Sequence, residues 1–444
     1  MAIETPDSMR NLVIYEVYVR DHGPRGTFKD VESDLERIRD LGVDVVWLMP
    51  IHPIGKLNKK GGLGCPYSIA NYEEVNPDYG SQADFEHLLD RAHQLGLKVM
   101  IDVVYNHTSH DSKLVHEHPE WFHQDVNGKP VTTVPEWSDV IDLKYADEAI
   151  ETYLVNVLKM WAKLGVDGFR CDVASLVPMR MWMRARRAVA EIKPGVIWLA
   201  ESVHLGFIEM RRSKGLSAVS DSELYQAFDM MYDYDIWPIW QAAVLGKTRL
   251  GDYLQMLRFQ SGMYPGNYLK MRCVENHDQT RIMRLAPSYN QALAWTAFLA
   301  FLPGPFLIYA GQESAAPVRP TLFDRDPIQW GTYSLSQFLK TLTGLKKNLI
   351  QEKGWFTIFN DEPSIQAAWN GNGKSLFGVF NVAGDNADVI VHLPDGDYRD
   401  LITGNLVAVK EGKMPAAEAV CIFEVDTPVE KQPFYSPLID FHMD

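Results

Sequence analysis

GVDGFRCDVA, residues 165–174, is a short apolar, β-favouring run that finishes on Arg170 and Asp172. A charge withdrawn from water is costly unless it is paired and hydrogen-bonded. A strand that ends on an arginine and an aspartate therefore has a task at that end, structural or chemical. Apolar runs of this kind recur along the chain: VIYEVYV (13–19), VDVVWLMP (43–50), KVMIDVV (98–104), VDGFRCD (166–172), VIWLAE (196–201), YQAFDMM (225–231), YLKMRCVEN (268–276) and PFLIYAG (305–311). Helix-like segments lie between them. Two of these, DVESDLERIRDLG (30–42) and SQADFEHLLDRAHQLG (81–96), close on glycine, the expected helix stop. Strand–helix alternation means parallel strands. Eight repeats over roughly 350 residues predict an α/β fold, a closed (β/α)8 barrel with insertions. The competing architecture, an open doubly wound sheet, would favour a glycine-rich phosphate loop after an early strand. GGLG (61–64) neither follows a strand directly nor opens a helix. GNGKS (371–375) runs into strand-like LFGVF and reads as a hairpin turn.

The chain has 444 residues, 46% of them hydrophobic, and a net charge of −15. That balance disfavours nucleic acid and anionic membrane surfaces as partners and suits a neutral ligand. The uncharged stretch from Leu285 to Gln312 is cut by Pro303, Gly304 and Pro305, so it reads as a buried helix and a buried strand rather than a membrane span. The N-terminus lacks the basic and apolar regions of a signal peptide, and a cytoplasmic location is expected. The four cysteines show no C-x-x-C pair and are expected to be reduced and mostly buried.

The connection after VVYNH is unusually long. A helix is predicted over 147–165, and the part before it, 107–142, carries no helical or strong strand signal. Such a loop is usually functional, and it is expected to form a small lobe over the active end of the barrel. From about residue 352 short strands alternate with Gly, Asn and Asp turns, the texture of an antiparallel β-sandwich. The expected organisation is a barrel over 1–106 and 143–351, the inserted lobe over 107–142, the β domain over 352–427 and a Pro-rich tail over 428–444.

In such a barrel, function sits at the C-terminal ends of the strands. Arg170 and Asp172 end strand four, Glu201 ends strand five and Asp278 follows strand seven. Asp102, Asn106 and His107 close strand three. A single acid after a strand is often just a helix N-cap; several acids with an arginine and histidines on one rim are not. His107, His110, His116, His118 and His123 crowd one loop, but H-E-H at 116–118 does not match a zinc-binding helix. A metal-dependent barrel enzyme and a non-catalytic sugar-binding barrel are the rival readings. Paired carboxyl groups without a cofactor motif suit glycoside hydrolysis, in which one group stays protonated and the other ionised. Arg170 and Asp172, two residues apart on a strand, share a face, which makes Asp172 the natural anion. Glu201, in apolar surroundings, suits the general acid.

These motifs resemble the α-amylase family of glycoside hydrolases. The resemblance runs through VVWLMPI (45–51), DVVYNH (102–107), IDL (141–143), GFRCD (168–172), the glutamate of WLAES, NHD (276–278), GPFLIYAGQE (304–313) and FDRDPIQW (323–330). It implies a barrel, an inserted lobe and a C-terminal β domain, and a retaining mechanism on α-1,4-glucosidic bonds of starch-derived maltooligosaccharides, with glucanotransferase as the alternative. It makes Asp172 the nucleophile, Glu201 the acid and base, and Asp278 the transition-state stabiliser. Arg170 would orient the nucleophile, His107 and His277 hold the sugar, Asp102 support the site and Tyr67 form a platform under the ring. No cofactor is required for the chemistry. Asn106 and Asp142 match positions linked to a structural calcium ion, which the resemblance leaves open. Ser175 and Leu176 depart from the Lys-His that secreted members often carry after the nucleophile.

Overall fold

A computed structural model describes residues 5–359 and 363–429. Eight buried parallel strands form the barrel: β1 (Val13–Val17), β2 (Val45–Leu48), β3 (Lys98–Val103), β4 (Gly168–Cys171), β5 (Ile197–Ala200), β6 (Met230–Tyr232), β7 (Lys270–Met271) and β8 (Phe306–Tyr309). They pair in chain order, and β8 returns to β1 with Val13 opposite Phe306. Only β7 and β8 lack a full ladder. A single bridge, Arg272 to Phe306, joins them, with Arg272 N donating to Pro305 O at 2.7 Å and Leu307 N to Arg272 O at 2.9 Å. The expected (β/α)8 barrel is therefore present, with its seam at β7.

The strands are shorter than their apolar runs, and strand six is displaced. Residues 225–228 are not strand: Ser220 and Glu223 form a capping box that holds Asp221–Leu224 helical, and the turn continues past it. Residues 30–42 likewise form two helices, Phe28–Glu32 and Leu35–Asp40, broken at Ser33 and Asp34. The helix predicted over 147–165 is Glu148–Leu164, capped by Asp147, whose side chain accepts from the amides of Ala149 and Ile150. Leu285–Gln312 folds as expected into a helix, Tyr289–Phe301, and β8. Gly304 turns between them at φ +110°, where a Cβ would meet the Lys270 carbonyl oxygen at 2.1 Å, so no other residue fits.

The inserted lobe has more structure than its sequence implied. His107–Ser109 pairs antiparallel with Val140–Asp142, and a helix, Lys113–Glu117, leads into a 3-10 turn, Pro119–Trp121. Elements of three to five residues are too short to show a period. The short ladder opens directly from the end of β3, which places the lobe beside the C-terminal rim.

Beyond Gly354 the chain becomes antiparallel. Trp355–Phe359, Ile365–Gly371, Lys374–Phe380 and Val420–Val425 form one sheet, and two strand pairs, Val389–Ile390 with Lys413–Met414 and Gly396–Arg399 with Leu406–Val409, lie against it. Phe359, Phe377 and Val379 from the sheet pack with Val391, Val409 and Met414 between the layers. Residues 371–374 form the expected hairpin, with Asn372 and Gly373 at φ +54° and +76°. The predicted tail, 428–444, lies outside the described residues beyond Val429. The four cysteines are free, and all but Cys65 are buried. No helix among the described residues is long and apolar enough to cross a membrane.

Candidate active site

Arg170 stands at the centre of the rim. It is wholly buried on β4 beside its cross-strand partner Asp102 on β3. Its Nη1 donates to Asp102 Oδ1 at 2.8 Å and to Asp172 Oδ1 at 2.9 Å, and its Nη2 lies 2.9 Å from Glu201 Oε2. Trp47, Tyr67 and Tyr232 present their rings within 5.2–5.5 Å of the guanidinium carbon. One buried cation thus serves three buried carboxyl groups, which answers why a strand ends on these charges.

The surroundings set different charges on these acids. Burial lifts Glu201 to about 7, although Arg170 opposes it. Burial lifts Asp172 as well, to about 6, against the pull of Arg170. The expected order holds, but its cause differs. Glu201 is not in an apolar niche: it shares the guanidinium and accepts from Val173 N at 2.8 Å, and burial still dominates. Asp102 is raised by burial to about 6, opposed by Arg170. Burial would also raise Asp278, but His277, 3.1 Å away, outweighs it and holds Asp278 down at about 2.

The histidines divide by partner. The Asn106 amide lies 3.1 Å from His107 Nδ1, which leaves the ring proton on Nε2, 3.9 Å from Asp172 Oδ2. Burial lowers His107, so it is a neutral donor facing the cavity. His277 stacks on Tyr67 with ring centroids 5.4 Å apart, and its Nε2 is 2.8 Å from the Tyr67 hydroxyl. Tyr67 in turn donates to Asp102 Oδ2 at 3.0 Å.

Asp172, Glu201, Asp278, His107, His277 and Tyr67 line one cavity of about 340 Å³, with Lys60, Cys65, Trp137, Val173 and Phe323. Arg170 and Asp102 lie beneath it, fully buried. A cavity of similar size, about 350 Å³, opens between the opposite end of the barrel and the β domain, lined by Arg10, Tyr268, Arg272 and Phe356. It holds none of the rim carboxylates.

Asn106 and Asp142 are both buried and stand outside the cavity. Both Asp142 oxygens are taken: Oδ1 accepts from Thr132 Oγ1 at 3.2 Å, and Oδ2 from Thr133 N at 2.8 Å and from the Thr133 hydroxyl. Arg211, itself buried, donates to that hydroxyl at 2.6 Å. The Asn106 side-chain amide nitrogen is turned to His107, and the Asn106 backbone carbonyl accepts Leu143 N at 2.9 Å. The Asp142 carboxylate is thus engaged by Thr132 and Thr133, with the Arg211 guanidinium, a charge of the same sign as any metal ion, close by. The loop histidines do not converge either: the described residues hold no group of three or more His, Cys, Asp or Glu that could bind a metal.

Two residues were not singled out from the sequence. Glu16, the fourth of the five residues of β1, pairs with His277 Nδ1. Its signal was a lone glutamate inside VIYEV. Val173 adopts φ +34°, a strained conformation for a β-branched residue, and so turns its amide onto Glu201. No sequence pattern marks it.

Comparison with known proteins decides the family. The α-amylase catalytic-domain model matches residues 6–132 and 135–319, and the model of the bacterial α-amylase C-terminal domain matches 357–423. The chain belongs to the α-amylase family. An α-amylase from Lactobacillus plantarum, 41% identical, superposes with a TM-score of 0.91 over 94% of this chain and 100% of that one. A maltogenic α-amylase from Thermotoga neapolitana, 32% identical, reaches 0.84 over 94% and 98%. The α-amylase MalA of Haloarcula japonica is 28% identical over 342 residues, 74% of this chain and 47% of its own length. The chain thus spans about half of that relative.

Proposed function

We propose that this α-amylase family chain is a retaining glycosidase that cleaves α-1,4-glucosidic bonds of starch-derived maltooligosaccharides. The observation that carries the reading is the single buried guanidinium between Asp172 and Glu201, beneath a cavity lined by sugar-binding types of side chain. Between about 6 and 7 the first acid is ionised and the second protonated, the state a retaining pair needs. Asp172 attacks the anomeric carbon, and the bond to the leaving oxygen breaks as that oxygen takes the Glu201 proton. Glu201, now an anion, removes a proton from water; the water oxygen bonds to the anomeric carbon and the ester to Asp172 breaks. Asp278 and His277 bind ring hydroxyls, His107 donates from Nε2, and Arg170 keeps Asp172 ionised. The identity to amylases that match along nearly their whole length supports the substrate class.

The test is incubation with maltoheptaose, with products followed by chromatography and early anomeric proton NMR. Short products of α configuration are expected, and Asp172→Asn should lower kcat by at least about 10⁴-fold. Products longer than the substrate would move the reading to glucanotransferase. Equal turnover by the variant would overturn the assigned nucleophile.

A further inference from the structure

We propose that Glu16 is a positioning residue for this reaction: it grips His277 through Nδ1 and thereby aims the Nε2–H of an imidazolium at Asp278. Glu16 is wholly buried on β1, and no rim motif contains it. Its Oε1 meets His277 Nδ1, while its Oε2 has no hydrogen-bond partner. On the other side of the ring, Nε2 lies 2.8 Å from the Tyr67 hydroxyl and 3.1 Å from Asp278 Oδ2. Proton counting then fixes the ring's charge. The single Tyr67 proton goes to Asp102, 3.0 Å away, so the Tyr67 oxygen is an acceptor toward His277. Asp278 is an acceptor too. Nε2 must therefore carry a proton, and Nδ1, facing a carboxylate, must carry the other.

The ring has little freedom to do anything else. Tyr67 stacks on one face and Trp47 meets it edge-on at 5.8 Å and 81°. The charged and titratable groups around this pair are Glu16 of β1, Tyr67, Asp102 of β3, Arg170 of β4 and Asp278, with Tyr232 of β6, Cys273 after β7 and Tyr309 of β8 beside Glu16. Burial disfavours an imidazolium, but Asp278 and then Glu16 outweigh it and raise His277 well above its ordinary value. The consequence reaches both reacting acids. Asp278 raises Asp172 and Glu201 through its own charge, and the fixed imidazolium offsets that charge. A row Glu16–His277–Asp278 thus runs from the barrel interior to the cavity, joining positions 261 residues apart in the chain at its inner contact.

The test has a kinetic arm, which rests on the glycosidase reading, and a spectroscopic arm, which does not. With ¹⁵N-histidine, and His277 assigned by its loss in His277→Gln, both ring nitrogens of the native protein should stay protonated from about pH 5 to about pH 9. In Glu16→Gln the ring should titrate within that range. kcat/KM on maltoheptaose should fall about 10- to 100-fold at about pH 8, far less at about pH 5.5, with Glu16→Asp recovering part of the loss. The inference is overturned if His277 of the native protein titrates like an ordinary histidine, if Glu16→Gln keeps both protons to about pH 9, or if its activity falls equally at every pH. Should Glu16→Gln fail to fold, the native resonance decides alone. Should the native protein leave every glucan intact, the glycosidase reading fails and the ring measurement still judges Glu16.

Discussion

Between Asp172 and Glu201 the same guanidinium meets two carboxyl groups that must differ in charge. Distance cannot separate them, since both lie 2.9 Å from Arg170. Burial lifts both, Glu201 to about 7 and Asp172 to about 6, and the order follows the higher ordinary value of a glutamate. The sign of each limb follows. In the proposed mechanism Asp172 acts deprotonated, so kcat/KM should rise as pH climbs through the lower value, and Glu201 acts protonated, so kcat/KM should fall as pH climbs through the upper one. A narrow bell with its maximum between about 6 and 7 is expected, measured on an unactivated glucan so that leaving-group protonation matters. A flat profile up to pH 9 would remove Glu201 as the acid. At this scale the sequence was legible wherever a charged residue closes an apolar strand, because the C-terminal strand ends are where a barrel carries its site. Glu16 was not, because it sits inside its strand and its partner is 261 residues away.

At the scale of elements, one contact between the inserted lobe and the barrel runs through a protein cation. Asp142 ends the short lobe ladder, Thr133 hydrogen-bonds it, and Arg211 reaches that threonine from the helix Leu205–Ser213, which follows β5. The resemblance pointed to calcium through Asn106 and Asp142. It could not show Arg211, because that residue lies 69 positions beyond Asp142 and nothing in its own neighbourhood marks it. Two outcomes follow. Chelation with EDTA should leave Tm and activity unchanged. Arg211→Met should lower stability by about 1.5–3 kcal/mol, the worth of a buried hydrogen bond to a charged group, read from urea midpoints at constant slope. A chelator-induced fall in Tm would show that Asp142 and its neighbours rearrange around a cation. The element boundaries most poorly read from sequence have the same kind of cause. Strand six ends up as three residues because a capping box claims the residues before it, and strand seven is the two residues Lys270 and Met271, followed by the single Arg272 bridge.

The whole molecule is tied together through one helix. Tyr289–Phe301 shows no polar stripe, and from Ala294 to Phe301 every residue is buried. A helix apolar all round must be covered on all sides. The barrel covers one side, and the β domain covers the other: Phe298 and Phe301 lie 5.3 and 5.4 Å from Phe380, and Trp369 Nε1 donates to the Phe301 carbonyl at 2.6 Å. Ile365, Trp369, Leu376, Phe380 and Ile422 accordingly belong to the barrel's core rather than to the inner core of the β domain. The change of texture near residue 352 falls where the strands turn antiparallel. It could not reveal that barrel and β domain share a core, since that is a property of faces meeting across the chain. The physical consequence is cooperativity. Removing the β domain would uncover the apolar surface of this helix around Phe298 and Phe301. We therefore expect one calorimetric transition, coincident by far-ultraviolet and near-ultraviolet circular dichroism, for barrel and β domain together. Phe380→Ala should shift that single transition down by about 3–5 kcal/mol of stability without splitting it. Two resolved transitions, with the barrel melting unchanged in the variant, would show instead that the interface is a docking of two independent units.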